Sequence, residues 1–448
     1  MTLTAISPLD GRYHNKVKEL SSYFSEFALI KYRIRVEVEY LIALIHFLGL
    51  SAEQPERLRT IYQDFTPEKA QAVKETEKTT NHDVKAVEYY VKQELDHLGL
   101  SGLKEYVHFG LTSEDVNNLS YGLMLKECRD VVVLPKLNEL LDKLKELSLQ
   151  HKTQPMLART HGQCASPTTL GKEFSVFYYR LARQKKQLLS TQLLGKLNGA
   201  TGNYNAHVVS FPNNDWIGFA QQFITQLGLT PNLITTQIES HDYMAELFGV
   251  IKRVNNIILD LAVDCWLYIS YNYFKQKTKA GEVGSSTMPH KVNPIDFENA
   301  EGNLGIANAL FTHMGDKLQR SRLQRDLSCS TVQRNLGVGF GHTLVAIAST
   351  IKGLGKLEVN QSAIQEDLDD HMQILGEAIQ TILRREKGEM PYEQLKQLTR
   401  GKKVTLADMH MFIDGLSVRD EVKQELKRIT PENYIGKAVE LTDRALQD

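Results

Sequence analysis

The chain has 448 residues, 42% of them hydrophobic, and its 53 Lys and Arg nearly balance 54 Asp and Glu, for a formal net charge of −1. At roughly 150 residues per domain, this length predicts about three domains with enough apolar material for a large core, which excludes a disordered chain. The balanced charge, without long runs of one sign, excludes recruitment to nucleic acid or to a membrane surface by bulk charge.

The start of the chain, MTLTAISPLDGRY, has neither a basic leader nor an apolar segment, and no uncharged apolar stretch of 18 residues follows. We therefore expect a cytoplasmic protein without a signal peptide or a membrane span. The four cysteines, Cys128, Cys164, Cys265 and Cys329, lie far apart without any CxxC pair. This spacing predicts buried free thiols in a reducing compartment and no zinc site.

The first strongly patterned segment runs from Tyr32 to Leu48. Apolar residues at every second position of 32–40 favour a strand on their own. Two Arg/Glu pairs, Arg33/Glu37 and Arg35/Glu39, are instead spaced four apart, as on a helix. Because the apolar run after Tyr40 no longer alternates, the segment predicts a helix.

Further along the chain, helix starts are predicted where a Thr precedes Pro-Glu or an acidic residue at the third position. These starts lie at Thr66, Thr405 and Thr430. Two apolar stripes at helical spacing predict helices packed against others. The stripes are Leu137, Leu141 and Leu144, and then Leu170, Phe174, Phe177, Leu181 and Leu188.

Prolines are few, 12 in the whole chain, and none lies between Pro294 and Pro391. Long proline-free stretches suit helices, because proline removes a backbone hydrogen bond and clashes within a helix. We predict an all-α protein with an N-terminal helical domain at 1–101, a central long-helix domain at 102–354 and a small C-terminal helical domain at 355–448.

Residues 281–294, GEVGSSTMPHKVNP, form the most informative motif and are called the signature loop below. Its glycines and serines cannot hold a stable helix, whereas Asn293-Pro294 predicts a helix start with Asn293 as N-cap. A helix N-terminus offers free N–H groups that bind carboxylate or phosphate, and Lys291 adds a positive charge beside it. No nucleotide-binding glycine motif, P-loop, zinc-protease motif or hydrolase elbow occurs.

Three further polar motifs are RTHGQ at 159–163, TTNHD at 79–83 and HFGLTSED at 108–115. Arg159, Thr160 and Gln163 are residue types that hydrogen-bond oxyanions, and Gly162 lets a ligand approach the backbone. Each of the other two motifs, taken alone, is better explained as a helix cap, because Thr, Ser, Asn and Asp are common at helix starts.

Together and in this order, the motifs resemble the fumarase/aspartase superfamily and, within it, the adenylosuccinate lyase family in its longer bacterial form. The resemblance rests on SPLDGRY, TTNHDVKAVEYY, RTHGQ, TSED, GSSTMPHKVNP and RDLSCSTVQRNLGVG, and extends from Ser7 to the TPENYIGKA segment. It implies a three-domain all-α fold whose long central helical bundle is shared in a homotetramer, with each active site drawn from three subunits.

The implied reaction is β-elimination of fumarate from adenylosuccinate, giving AMP, and from SAICAR, giving AICAR, in purine nucleotide biosynthesis. By the same resemblance Ser285 is the general base, His161 the general acid, and Glu298 the carboxylate that orients His161 and keeps it protonated. The helix N-terminus after Asn293 and the charge of Lys291 would favour the Ser285 alkoxide once the loop closes. Neither a metal nor an organic cofactor is expected.

The resemblance also implies a substrate shell. The residues expected around the succinyl carboxylates are Thr112, Ser113, Gln237, Lys291 and Asn293. Those expected around the phosphate are Arg12, Tyr13, Arg325, Ser330 and Arg334, with Asn81, His82 and Asp83 nearby. The remaining predicted binding residues are His108, Ser286, Asn299 and Thr331. His82 or His108 could share the proton with His161. Cys164 departs from the family, which more often has proline there.

Two alternatives stay open. A sister lyase with the same loop, such as argininosuccinate lyase or fumarase, is disfavoured because its substrate has no phosphate for Arg12, Arg325 and Arg334. A non-enzymatic scaffold with a lyase fold is disfavoured because it would be expected to lose the chemical groups at Ser285 or His161.

Overall fold

Helices make up most of the computed structural model, which describes residues 3–50, 55–277, 288, 291–386 and 404–447. In the N-terminal half the helices are α1 (His14–Val17), α2 (Ser21–Phe24), α3 (Glu26–Phe47), α4 (Pro55–Gln63), α5 (Pro67–Thr80), α6 (Asp83–His97), α7 (Ser113–Cys128), α8 (Leu134–Gln150), α9 (Leu170–Ser190), α10 (Asn205–Ser210) and α11 (Trp216–Gln226). The later ones are α12 (Asp242–Ser270), α13 (Ile295–Leu318), α14 (Ser328–Gln333), α15 (Leu336–Lys356), α16 (Gln361–Asp369), α17 (Gly376–Arg385), α18 (Leu406–Asp414), α19 (Asp420–Lys427) and α20 (Ala438–Ala445). The predicted all-α class is confirmed.

Short sheets of two strands each interrupt the helices. The strands are β1 (Pro155–Thr160), β2 (Gln163–Thr169), β3 (Leu194–Gly195), β4 (Thr230–Pro231), β5 (Phe274–Gln276) and β6 (Leu357–Val359). β1 and β2 form an antiparallel hairpin, β3 and β4 a parallel pair, and β5 and β6 an antiparallel pair.

The chain divides into two compact units, which differ from the three predicted domains in being discontinuous along the sequence. The first unit comprises Met1–Leu137, Lys185–Asn255 and Gly302–Ala348, and the second comprises Asn138–Gln184, Asn256–Glu301 and Ser349–Asp448. The division at 1–101, 102–354 and 355–448 concerns order along the chain and stays a prediction.

Helix α3 explains why residues 32–40 alternate like a strand. One side of it, including Val36, Tyr40 and Leu44, enters a core cluster shared with α7 and α11. The other side, including Ile34 and Val38, enters a second cluster with α4, α5 and α6. A helix buried on two sides loses the single apolar stripe of a surface helix, because few of its positions face water.

The charges of α3 do not form the predicted Arg33/Glu37 and Arg35/Glu39 pairs. Each reaches a different element instead: Arg33 bonds Asp83, Glu37 bonds His108, Arg35 bonds Glu127, and Glu39 bonds Arg59. The prediction of a helix was correct, but the two ion pairs that formed part of the reason for it are replaced by pairs with other elements. Buried charges need partners, and those partners come from neighbouring elements.

The predicted stripes on α8 and α9 are buried, as expected for helices packed against others. Thr66 caps α5 and Thr405 caps α18, the latter with Asp408 in a capping box. Thr430 was wrong as a helix start, because residues 431–433 form a turn. There the Thr430 N–H donates to Asn433 Oδ1 at 2.9 Å, and the Glu432 carboxylate bonds Gln365.

Among the described residues, no helix combines the length and the apolar character needed to cross a membrane. All four cysteines are free thiols, and Cys128, Cys265 and Cys329 are buried as predicted. Cys164 is only partly buried, which corrects the prediction, because it lies on β2 close to an exposed turn.

Candidate active site

The RTHGQ motif forms the tip of the β1–β2 hairpin. Thr160 pairs with Gln163, which leaves His161 and Gly162 as a two-residue turn. Their φ angles of 55° and 74° are both positive, as a type I′ hairpin turn requires. The turn therefore places the predicted general acid at an exposed position on a short, hydrogen-bonded support.

The His161 ring has no hydrogen bond or ion pair to any other described residue of the chain. Glu298, in the first turn of α13, is also exposed, and its carboxylate accepts a hydrogen bond from Trp266 Nε1 at 3.2 Å. The two side chains therefore do not contact each other within the chain, and their pairing stays a prediction.

Arg159, two residues before His161, is held by several partners. Its guanidinium donates to Asp367 on α16 at 2.6 Å and to the Tyr273 hydroxyl at 3.1 Å. The guanidinium carbon also lies 4.7 Å from the centre of the Tyr271 ring and 5.7 Å from that of Tyr273. Arg159 is thus engaged within the protein, through a carboxylate, a hydroxyl and two aromatic rings.

The TSED motif begins α7. Thr112 is the N-cap and Ser113 the first helical residue, and the Thr112 N–H donates to the Asp115 carboxylate at 2.8 Å. Asp115 is completely buried and forms a 2.8 Å ion pair with Lys196, which is also completely buried. Its carboxylate accepts further hydrogen bonds from the N–H groups of Asn198 and Gly199.

Lys196 connects the start of α7 to Gln237. Its ammonium group donates to the backbone carbonyl of Gln237 at 2.7 Å. The Gln237 side-chain oxygen in turn accepts from Arg325 at 3.0 Å, and Arg325 lies 3.3 Å from the Glu114 carboxylate. Burial raises the pKa of Glu114, against the opposing effect of Arg325. The structure therefore brings together Thr112, Ser113, Gln237 and Arg325.

His108 lies just before α7 and has a positive φ of 59°. Its ring nitrogen Nδ1 lies 2.5 Å from the carboxylate of Glu37, which is completely buried on α3. Burial alone would lower the pKa of His108, but the attraction of Glu37 outweighs it, and the net pKa is raised. His108, a histidine that is readily protonated, therefore lies close to the start of α7.

Asp83 connects the TTNHD motif to Arg334. Its carboxylate lies 2.8 Å from buried Arg33 and 3.0 Å from Arg334, which also bonds Glu26 at 2.8 Å. Burial would raise the pKa of Asp83, but the two guanidinium groups and the Val84 N–H lower it overall. The neighbours Asn81 and His82 are exposed; Asn81 ends α5 with a left-handed φ of 50°, and His82 caps α6 through its ring.

The other residues predicted to bind the phosphate lie on two segments. Arg12 and Tyr13 immediately precede α1, and Ser330 and Thr331 lie on α14, just before Arg334. A cavity of about 350 Å³ is lined by the N-terminal segment and by the segment from Arg334 to Gly341. Arg12 itself does not line this cavity.

The end of the signature loop leads into α13. The helix begins at Ile295, one residue later than predicted, so that Pro294 rather than Asn293 borders it. Lys291 is exposed and Asn293 half-buried, and the Asn299 side chain accepts from Ser349 at 2.8 Å. Ser285 and Ser286 lie outside the described residues.

Sequence reasoning assigned no role at these sites to five residues that the structure places there: Glu37, Asp115, Lys196, Tyr273 and Asp367. Asp115 could have been noticed as the third helical residue after a Thr cap. The others carry no local signal, because their partners lie tens to hundreds of residues away in the chain.

Comparison with known proteins identifies the family. A family model described as lyase matches residues 11–307, and one described as adenylosuccinate lyase C-terminal matches residues 321–435. The chain is 53% identical to adenylosuccinate lyase of Haemophilus influenzae over 450 residues, covering 99% of each protein. It is 51% identical to that of Escherichia coli strain K12 over 449 residues, covering 99% of this chain and 98% of the relative. With that of Dictyostelium discoideum it is 51% identical over 451 residues, or 97% of each.

Solved structures with much lower sequence identity share the fold. A fumarate lyase from Mesorhizobium sp. BNC1 superposes with a TM-score of 0.77 at 18% identity, over 96% of this chain and 97% of that one. A 3-carboxy-cis,cis-muconate lactonizing enzyme from Pseudomonas putida gives 0.76 at 20% identity, over 96% of each chain. The predicted fumarase/aspartase-like fold is thereby confirmed. On the family matches and the full-length relatives, the chain belongs to the adenylosuccinate lyase family and is a lyase.

Proposed function

We propose that the chain eliminates fumarate from adenylosuccinate, releasing AMP, and from SAICAR, releasing AICAR, as two steps of purine nucleotide biosynthesis. The observation that carries this proposal is identity of 51–53% to curated adenylosuccinate lyases over nearly the whole chain. The groups that the chemistry needs, Ser285, His161 and Glu298, are all present in the sequence.

The elimination needs a base to take a proton from a carbon next to a carboxylate, and an acid to protonate the departing nitrogen. His161 suits the acid role because its ring is exposed and because no described residue of the chain forms a hydrogen bond with either ring nitrogen. Ser285 takes the base role by similarity, activated by Lys291 and the N-terminus of α13.

The succinyl carboxylates are expected at two helix N-termini. Thr112 and Ser113 stand at the start of α7, and Lys291 and Asn293 stand just before α13. Free N–H groups and the helix dipole favour an anion at both places. Gln237, which shares the Lys196 network with Thr112, adds an amide at the first of them.

The nucleotide phosphate is expected among Arg12, Tyr13, Arg325, Ser330 and Arg334. The contact between Arg334 and Asp83 supports a common location for the TTNHD motif and the segment after α14. A guanidinium with five N–H donors can bind phosphate oxygens while keeping a carboxylate partner. This phosphate set favours a nucleotide substrate over those of the sister lyases.

We further propose a cytoplasmic homotetramer in which each active site draws on three subunits. Within the described part of the chain His161 and Glu298 form no hydrogen bond or ion pair with each other, and in this arrangement a second copy supplies the carboxylate. The prediction of three domains along the chain belongs to the same proposal.

The test is a spectrophotometric assay of the purified chain with adenylosuccinate and SAICAR, and with argininosuccinate and malate in parallel. We expect fumarate release from the first two only, with AMP and AICAR as the other products. Turnover of argininosuccinate or malate instead would reassign the chain to a sister activity. A Ser285→Ala variant with near-normal turnover would overturn the choice of base alone.

A further inference from the structure

The hairpin that carries His161 is attached to the C-terminal part of the chain through its first strand. Arg159 on β1 lies two residues before His161, and its guanidinium bonds Asp367 on α16 and Tyr273 beside β5. The Tyr273 hydroxyl also donates to the same Asp367 oxygen. His371 Nδ1 lies 2.7 Å from the backbone carbonyl oxygen of Asp367 and 3.2 Å from the other oxygen of its carboxylate.

The second strand is attached in the same way. The hydroxyl of Ser166 on β2 donates to Glu377 on α17, and the Tyr434 hydroxyl donates to that carboxylate at 3.0 Å. Just before β1, Lys152 pairs with Asp443 on α20 at 2.8 Å. All these contacts lie within the second compact unit. Both strands are therefore tied to the C-terminal part of the chain, whereas the His161 side chain at the turn has no such contact with a described residue.

The Arg159 contact has the features of a geometric restraint. The side chains of Arg159 and Asp367 are 19% and 18% exposed, so the contact is largely shielded from water. The planar guanidinium lies against two tyrosine rings while its N–H groups point to fixed oxygens, which leaves it little rotational freedom. A strand held in this way fixes the backbone two residues further on, where the turn begins.

We infer that Asp367, acting through Arg159, is a positioning residue that holds the His161 hairpin where the acid can reach the departing nitrogen. The inference rests on the proposed acid role of His161. Neither Asp367 nor Tyr273 needs to touch the substrate. The C-terminal helices would then contribute to proton transfer without supplying a reacting group.

The test compares two carboxylates that each bind an arginine in the same unit. Asp367→Asn weakens the contact with Arg159. Glu425→Gln weakens the contact with Arg385, whose guanidinium donates to the Glu425 carboxylate at 2.6 and 2.9 Å and makes no hydrogen bond to the hairpin among the described residues. We expect kcat to fall about 10- to 100-fold in Asp367→Asn with KM nearly unchanged, since a small misplacement of a reacting group slows chemistry by that order. Glu425→Gln is expected to keep its kcat.

A double-mutant cycle separates positioning of His161 from other effects. His161→Asn removes the acid and suits the left-handed turn, because Asn adopts positive φ readily. If Asp367 acts through His161, Asp367→Asn lowers the residual kcat of His161→Asn no further. A full additional fall in that background would overturn the inference. Normal turnover of His161→Asn itself would overturn the acid assignment, and the inference with it.

Amide hydrogen exchange gives a readout that does not depend on turnover. Faster exchange is expected at residues 159–164 in Asp367→Asn and unchanged exchange there in Glu425→Gln. Unaltered exchange in both variants, or a loss of kcat in Glu425→Gln equal to that in Asp367→Asn, would contradict a specific role of Asp367.

Discussion

The start of α7 and the His161 hairpin organise their predicted functional groups in opposite ways. At the start of α7 the Asp115–Lys196 pair is completely buried and fixes the backbone from inside. At the hairpin the functional ring is exposed, and the restraint comes from partly buried contacts at Arg159. Binding an anion needs a rigid array of donors, whereas proton transfer needs a ring that is free to meet the substrate. Substitutions in the buried pair at the start of α7 should therefore mainly lower the free energy of unfolding. Substitutions at the turn of the hairpin should mainly lower kcat.

The largest expected effect is on turnover at the hairpin. His161→Ala should lower kcat by about 10²- to 10⁴-fold, the usual contribution of a general acid. Stability should hardly change, because the side chain is exposed and has no hydrogen bond in the described residues. Steady-state assays and urea unfolding of the same preparation check both parts. A large loss of stability would contradict the contrast between the two regions.

The next largest effect is on stability at α7. Lys196→Met leaves Asp115 buried without its cation, which should lower the free energy of unfolding by about 3–5 kcal/mol. Urea unfolding measures this loss. Lys126→Met is the matched control, because Lys126 pairs with Asp130 at 3.0 Å with both side chains about one-third exposed. The control should lose less than about 1 kcal/mol, and equal losses would show that burial of the pair is unimportant.

A third prediction concerns pH near the same helix. The folded pKa of His108 is raised above its ordinary value of 6.5 by Glu37, despite burial. The Glu37–His108 pair therefore stabilises the fold fully below pH 6.5, and this contribution is lost as pH rises through the raised pKa. The difference in unfolding free energy between the wild type and Glu37→Gln should be largest below pH 6.5. It should become smaller as the pH rises through the raised pKa of His108. A difference that stays constant with pH would contradict the pairing.

The smallest effect is expected at the turn. A Cβ at Gly162 would meet nothing within 4 Å, but its φ of 74° strains any residue that has a Cβ. Gly162→Ala should therefore cost about 1 kcal/mol of unfolding free energy. Gly102→Ala is the control, since that position has equal space and an ordinary backbone conformation. If both variants are equally stable, the turn is less strained than its geometry indicates.

Features with a local cause could be predicted from the sequence. The apolar stripe on α9 and the caps at Thr66 and Thr405 follow from helical periodicity and from hydrogen bonds within one turn. The signature loop and the RTHGQ motif were found as candidate sites because their residue types are unusual together. The family resemblance then supplied roles that no local pattern contains.

Features with a distant cause could not be predicted. The β1–β2 hairpin was missed because its strands include Pro155 and Pro167, have no regular alternation and gain contacts from α16 and α17. The Asp115–Lys196 pair was missed because 80 residues separate its members. Thr430 was wrong as a helix start because its own N–H donates to the Asn433 side chain and the Glu432 carboxylate accepts from Gln365, in a turn rather than a helix.

The left-handed backbone at His161 implies a trade-off between stability and activity. Asn-Gly is the favoured pair for a type I′ turn, yet this hairpin carries His-Gly. The chain thus keeps a residue that its backbone prefers less, in exchange for an exposed imidazole ring at the tip of the hairpin. Directed evolution for heat resistance alone would accept asparagine at this position, and with the proposed acid lost it would select a more stable protein of low activity.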